Sequence, residues 1–150
     1  MKPSHRPKMY TLQDIETARQ EAFRLGLRGS ALFCSLPIAE VQQCCNGIGA
    51  AWMPEASRIL LNKRFPVLQT AAMIHDVRYS YGSGTDEDFH NANYELYENG
   101  KLLACEKFKW YNPVRYVVIY DARRPARVCD AFGRQAYFAA LIRREGKALQ

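Results

Sequence analysis

Apolar residues recur every three or four positions along most of this chain, which is the spacing of one face of an α-helix. The first such stretch runs from Thr11 to Leu27. Thr11 is suited to cap this helix, with Asp14 three residues later as a variant of the capping box. The apolar stripe of the helix consists of Leu12, Ile15, Ala18, Ala22, Phe23 and Leu25. Because alternating strand patterns are scarce elsewhere, the sequence predicts a mainly α protein.

Two further helices form the predicted centre of the fold, at about 66–81 and 86–99, and Gly82-Ser83-Gly84 joins them. Glycine permits the positive φ angles of a sharp turn. Thr85 then follows as an N-cap, before acidic residues that favour the N-terminal end of a helix dipole. Asn99-Gly100 is typical of a helix end. A link this short predicts that the two helices are antiparallel and face each other.

The remaining pattern predicts shorter elements on either side of this pair. Ala31–Leu36 is a short apolar run that we interpret as a strand or extended segment. The helix that begins at Pro113 has a broad apolar face, to which Trp110 and Tyr116 add, so we expect it to be central. The other predicted helices lie at 38–45, from Met53-Pro54 to Leu60, at 102–109, and at 126–142 after Pro125.

Length and composition are those of one domain. The 150 residues are 48% hydrophobic, which is enough for one core and too little for two. We expect a basic arm at 1–9, a single helical domain at 10–142 and a polar tail at 143–150. No run of about 18 apolar residues predicts a membrane span, and the basic N-terminus leads into no apolar segment of a secretory signal. The five cysteines are odd in number and contain no CxxC pair, which favours a reducing compartment over disulfides or structural zinc.

Charge is distributed unevenly along the chain. Residues 101–150 contain eleven Lys and Arg against four Asp and Glu, while the whole chain carries a net charge of +6. A basic C-terminal third is suited to an anionic phospholipid surface, an acidic protein surface or nucleic acid. Nucleic acid is the less favoured partner, because aromatic residues at helical spacing are more typical of a core than of a base-stacking platform. These residues are Trp110, Tyr111, Tyr116 and Tyr120.

The candidate chemistry lies on the two central helices. His75 and Tyr79 are four residues apart and share a helix face, while Asp76 projects about 100° away. A histidine base and a carboxylate that holds a cation can then act on one substrate. Asn93 on the second helix comes level with His75 across the turn.

A second motif, Asn46-Gly47-Ile48-Gly49, precedes these helices. Two glycines one residue apart let the backbone turn its carbonyl groups toward one point, as a hard cation such as Ca²⁺ requires. Most glycine pairs of this kind are ordinary turns, so the motif is informative only together with the histidine helix.

Together these motifs resemble the phospholipase A2 superfamily, in particular its small cysteine-poor phage and bacterial members. Those proteins have HDxxY, a glycine turn and then Ala-Asp; this chain has His75-Asp76-Val77-Arg78-Tyr79, Gly82-Ser83-Gly84 and Ala92-Asn93. Asn46-Gly47-Ile48-Gly49 is similar to the calcium loop. Asp130-Ala131-Phe132-Gly133 is similar to an Arg-x-Phe-Gly segment of the phage proteins. The resemblance covers roughly residues 44–138.

The resemblance implies a fold, a reaction and a cofactor. It implies a phospholipase A2-like core in which His75 activates water to attack a phospholipid sn-2 ester. Asp76 would hold Ca²⁺, with backbone oxygens from the segment that contains Asn46, Gly47 and Gly49. Tyr79 would support the histidine through its hydroxyl group. If the chain is encoded by a phage, its expected location is the host cytoplasm and the virion.

One departure from the family pattern decides between two functions. Asn93 stands where the family has the aspartate that orients the histidine, and an amide carries no charge to stabilise an imidazolium. In the serine-protease triad the same change lowers turnover by about 10⁴-fold. The expected function is therefore a virion or assembly component with a degenerate active site. The alternative is a calcium-dependent phospholipid hydrolase that uses His75 and Asp76.

Other residues could in principle supply different chemistry. Asp86 or Asp88 would have to replace the missing aspartate, but both precede Asn93 by more than one helical turn. His90 and His75 on facing helices could hold a transition metal. An HD-type phosphohydrolase requires more upstream histidines than His5, the only one before His75.

Overall fold

The computed structural model describes residues 10–45 and 66–148, and helices account for 83% of them. No strand occurs in these two ranges, which confirms the mainly α class. A 3₁₀ turn, Pro66–Leu68, precedes the fourth helix. The seven helices of these ranges are α1 Leu12–Leu25, α2 Ser30–Ser35, α3 Ile38–Cys44, α4 Gln69–Ser80, α5 Asp86–Lys107, α6 Pro113–Phe132 and α7 Arg134–Ala148. The predicted arm at 1–9 and the helix predicted from Met53-Pro54 lie outside the described residues.

Local sequence signals begin several helices where they were predicted. The Thr11 hydroxyl accepts a hydrogen bond from Asp14 N at 3.0 Å, and Asp14 accepts one from Thr11 N at 2.8 Å, so the capping box is complete. Thr85 caps α5 in the same way through Asp88 N, at 3.1 Å. Gly26, with φ of 60°, ends α1 in the left-handed region that favours glycine.

The helices α4 and α5 are antiparallel, as the short turn predicts. Contacts between them run in opposite chain directions, from Arg78–Asp88 near the turn to His75–Asn93 further along. Seven of the twelve residues of α4 are buried and none is exposed, which makes it the central helix of the described ranges. Its buried residues are Thr70, Ala71, Ala72, Met73, Ile74, His75 and Val77.

The interpretation of Ala31–Leu36 as a strand or extended segment is wrong, because Ser30–Ser35 is the helix α2. A short run of five apolar residues and one serine does not distinguish a strand from a buried helical turn. Here tertiary packing decides: Phe33 is completely buried in the core. At Gly29, which precedes α2 with φ of 80°, an added Cβ would lie 2.9 Å from Ile74 Cγ2. Only glycine allows α4 to approach so closely here.

The predicted helix end at Asn99-Gly100 is also wrong, since α5 continues to Lys107. Asn99 uses its side chain for a tertiary contact instead: its Oδ1 accepts from Arg28 N and its Nδ2 donates to Arg28 O, both at 2.8 Å. Gly100 is buried within the helix, where a Cβ would lie 2.8 Å from Ala122 Cβ. Both residues therefore serve helix packing rather than helix termination.

Gly100→Ala is expected to destabilise the protein by about 1–3 kcal/mol, although alanine is the better helix former by about 1 kcal/mol. The added methyl group has to push α5 away from Ala122 of α6. Gly146→Ala is the matched control, because nothing lies within 4 Å of a Cβ at that helical position. We expect the control to be neutral or stabilising by a few tenths of a kcal/mol. Urea unfolding of both variants measures the difference, and equal midpoints would contradict the close packing.

The helix α6 passes through Pro125 without ending and is not central. It is buried through the small residues Ala122 and Ala126. The prediction of a broad buried face is wrong, because Val114, Val117 and Phe132 are exposed. The prediction that the four aromatic residues belong to the core is wrong as well. Trp110, Tyr111, Tyr116 and Tyr120 are 72%, 66%, 56% and 61% exposed.

The last helix, α7, begins at Arg134 and not at Ala126, because the chain continues in α6 as far as Phe132. It extends to Ala148, so it includes most of the predicted polar tail. Tyr137 of α7 is fully buried and donates a hydrogen bond to Asp88 at 2.7 Å, which holds the helix against the 81–85 turn. None of the described helices is both long and apolar enough to cross a membrane.

Candidate active site

Three of the predicted site residues come together between α4 and α5. His75 and Tyr79 are one helical turn apart, and their ring centroids are 4.2 Å apart. Asn93 faces both of them from α5. His75 is 7% exposed and Asn93 is 2% exposed, so the group lies within the protein and not on its surface. The juxtaposition predicted from helical spacing and the short turn is therefore confirmed.

The Asn93 amide connects three side chains. Its Oδ1 lies 2.9 Å from His75 Nε2 and accepts a hydrogen bond from the Tyr79 hydroxyl at 2.7 Å. Its Nδ2 donates to Asp130 Oδ1 at 3.3 Å. Because an ionised carboxylate only accepts, the NH₂ group faces Asp130 and the carbonyl oxygen faces His75. His75 Nε2 is then the donor, and Nδ1 of the neutral ring is the nitrogen that can accept a proton.

Asp130 is the site residue that sequence reasoning missed. It appeared there only within the segment Asp130-Ala131-Phe132-Gly133, with no link to Asn93. No sequence signal marks Asp130, but the structure explains how it reaches the site through Gly133, where a Cβ would lie 2.7 Å from the Tyr79 hydroxyl. Glycine at this position lets the end of α6 approach the site. His90 Nδ1 donates to the same oxygen, Asp130 Oδ1, at the solvent side of the network.

Burial governs the protonation of His75 and Tyr79. It lowers the pKa of His75 to about 4, against the effect of the hydrogen bond to Asn93 and with a smaller contribution from the Arg78 charge. Burial also raises the pKa of Tyr79 well above its usual value. At neutral pH His75 is therefore an uncharged base and Tyr79 a protonated donor.

Burial alone would raise the pKa of Asp130, but the hydrogen bonds from His90 and Asn93 outweigh it and lower that pKa. Asp130 is therefore ionised at neutral pH. The Asn93 amide separates the negative charge of Asp130 from the histidine.

Asp76 is the predicted calcium ligand that can be located. It is half-buried on α4. The end of α3 packs against the same helix, with Cys45 Sγ 3.7 Å from Met73 O. Burial raises the pKa of Cys45, and the nearby negative charge of Asp76 raises it further. The chain thus leaves Cys45 close to Asp76, and Asn46 is the next residue.

The other predicted ligands, Asn46, Gly47 and Gly49, lie outside the described residues. Within the ranges 10–45 and 66–148, no cluster of three or more His, Cys, Asp or Glu could hold a metal ion. A calcium site here would depend on the Asp76 carboxylate and on backbone oxygens, which are hard donors that suit Ca²⁺.

The alternative partners for His75 are engaged elsewhere. Asp86 pairs with Arg134, and Asp88 binds Arg78 and Tyr137. The His90 ring bonds Asp130 and is half-exposed, on the far side of Asn93 from His75. Neither acid takes the place of the family's aspartate.

Comparison with models of known protein families, with curated proteins and with solved structures finds no match to this chain. The resemblance to the phospholipase A2 superfamily therefore rests on the sequence motifs alone.

Proposed function

We propose that this chain is a phospholipase A2-like protein that hydrolyses a phospholipid ester with His75 as its general base. The observation that carries this proposal is the hydrogen bond from His75 Nε2–H to Asn93 Oδ1. It holds the ring in the tautomer whose Nδ1 accepts a proton. The expectation of a degenerate site rests on the missing charge of the amide, and the contact of Asn93 with Asp130 supports a fixed histidine tautomer without that charge.

The proposed reaction uses the chain's own residues for proton transfer. His75 Nδ1 takes a proton from a water molecule as the water oxygen attacks the sn-2 ester carbonyl carbon. The same proton passes to the alkoxide oxygen when the carbon–oxygen bond breaks, which releases a fatty acid and a lysophospholipid. Asn93 and Tyr79 hold the ring in place throughout. Asp76 and backbone oxygens near Gly47 and Gly49 would hold Ca²⁺, which would supply a Lewis acid for the ester carbonyl.

The substrate class is supported by the surface of α6. Arg123, Arg124 and Arg127 are exposed on the same helix as the exposed Val117 and Val128. Arginines beside apolar side chains suit a surface of anionic phospholipid, where each basic residue contributes about 1 kcal/mol.

His75→Ala is expected to lower fatty-acid release from mixed vesicles of zwitterionic and anionic phospholipid by about 10²-fold or more, since a general base contributes about 10²–10⁴. Release by the native chain should require calcium and stop in a chelator. Glu106→Gln is the control, because this exposed residue pairs with Arg24 at the surface, away from His75. Absence of release from the native chain at every calcium concentration would contradict the enzymatic proposal.

The second candidate is a structural component of a phage particle that keeps the fold without the reaction. The observation that favours it is the exposure of large apolar side chains at both ends of α6, at Trp110, Val114 and Val117 and at Phe132, which suits contact with other subunits. This role predicts that the native chain and His75→Ala are equally inactive on vesicles. It also places the protein in the host cytoplasm and the virion.

A further inference from the structure

We infer that Asp130 is a positioning residue that selects the His75 tautomer by fixing the orientation of the Asn93 amide. The inference deepens the proposed function and rests on it only for the effect on turnover. The tautomer itself is a property of the folded chain.

The contacts of Asn93 on the side of α4 do not distinguish its two orientations. The Tyr79 hydroxyl can donate to an amide oxygen or accept from an amide nitrogen, and a neutral histidine can present either N–H or a lone pair. With Oδ1 toward His75, Nε2 carries the proton. With Nδ2 toward His75, Nε2 would have to accept and the proton would move to Nδ1. In both arrangements His75 and Tyr79 of α4 keep their hydrogen bonds to Asn93.

The contact on the side of α6 breaks this symmetry. Asp130 Oδ1 lies 3.3 Å from Asn93 Nδ2 and can only accept. A rotated amide would place its oxygen against a carboxylate oxygen, which is repulsive. His90 Nδ1 donates to the same Oδ1 from the solvent side and so holds the carboxylate in position. Asp130 therefore orients His75 indirectly, through Asn93. A carboxylate in direct contact with the histidine would orient the ring without this intermediate amide.

The position of Asp130 agrees with such a role. Its side chain is 48% exposed, so it contributes little to the core. A substitution there should change the amide without unfolding the protein. Gly133, three residues later, keeps α6 close enough for the contact, because a Cβ added at this position would lie 2.7 Å from the Tyr79 hydroxyl.

The test is the His75 tautomer in solution, measured at neutral pH by ¹H–¹⁵N correlation of the two imidazole nitrogens in ¹⁵N-labelled protein. The native chain should show protonated Nε2 and unprotonated Nδ1. Asp130→Leu, which removes the acceptor, should give a mixture of both tautomers. Asp130→Asn keeps the size of the side chain, but its amide can either donate or accept, so this variant should also give a mixture of both tautomers. Glu106→Gln, which changes an exposed surface pair with Arg24, should keep the native pattern.

Turnover is the second readout, in the vesicle assay. Asp130→Leu should lower kcat by about 10-fold or more with little change in KM, since a histidine in the wrong tautomer cannot act as the base. An unchanged Nε2–H tautomer in Asp130→Leu would overturn the inference. A tautomer that changes as expected in a chain without vesicle activity would support the inference and contradict the proposed hydrolysis, so the two failures are distinguishable.

Discussion

Exchange of the amide and the carboxylate, in the double variant Asn93→Asp/Asp130→Asn, is expected to raise calcium-dependent turnover by about 10²-fold. The carboxylate would then contact His75 Nε2–H directly and stabilise the imidazolium that forms when Nδ1 takes a proton. The reverse change in the serine-protease triad costs about 10⁴-fold, which sets an upper limit for the gain. The amide introduced at position 130 would still provide a hydrogen-bonding partner for the carboxylate introduced at position 93.

The single variant Asn93→Asp should behave differently from the double variant. Asn93 Nδ2 and Asp130 Oδ1 are 3.3 Å apart, so this substitution brings two carboxylates into contact. One of them must hold a proton or lose its position, because like charges this close raise the pKa of one partner. We expect a loss of about 1–3 kcal/mol in the free energy of unfolding and little gain in turnover.

Urea unfolding and the vesicle assay on all four members of this cycle separate the two effects. The second substitution, Asp130→Asn, should restore the stability that is lost in Asn93→Asp. It should also raise the turnover of the double variant above that of the native chain. If Asn93→Asp alone is as stable and as active as the double variant, the contact between Asn93 and Asp130 does not exist in solution.

Arg78→Met is expected to destabilise the protein by about 3 kcal/mol. Arg78 donates to Asp88 and Glu95 at 2.8 Å each, and the three side chains are only 16–20% exposed. Removal of the cation leaves two carboxylates partly buried on one side of α5. Loss of one partner from a buried ion pair lowers the free energy of unfolding by about 3–5 kcal/mol. Because these three side chains keep some exposure, we expect a value at the lower end of this range.

Arg24→Met is the matched control, because the pair Arg24–Glu106 has the same 2.7–2.8 Å geometry at 58% and 48% exposure. An exposed pair contributes about 0–1 kcal/mol, so its loss should be barely measurable. Urea unfolding at neutral pH gives both values. Similar losses in the two variants would contradict the structural role of Arg78.

The destabilisation by Arg78→Met should also depend on pH. Burial alone would raise the pKa of Asp88, but hydrogen bonds from Tyr137 and Arg78 outweigh it and lower that pKa below its ordinary value of 3.8. A lowered folded-state pKa gives stabilisation that is complete above the ordinary value and lost as the pH falls through the folded value. The difference between native chain and variant should therefore be constant above about pH 5 and decrease in more acidic solution.

The site could be predicted in part because its core depends on local geometry. His75 and Tyr79 share a face through helical periodicity alone, and the turn at Gly82-Ser83-Gly84 sets the register that brings Asn93 opposite them. Asp130 could not be predicted, because it is 37 residues from Asn93 and reaches the site only when α6 packs across α5. Nothing in its neighbouring sequence indicates a histidine network.

The sequence by itself determined the helical class, the capped starts at Thr11 and Thr85, and the pairing of α4 with α5. Each of these follows from interactions between residues close in the chain, or across one short turn. Only the tertiary structure decided that Ser30–Ser35 is a helix, that α5 continues through Gly100 and that α6 exposes its larger apolar residues. Those outcomes depend on which helix surfaces pack together in the folded protein. The local conformational preferences of a short apolar run, a glycine or an aromatic stripe are small, and packing against a distant helix outweighs them.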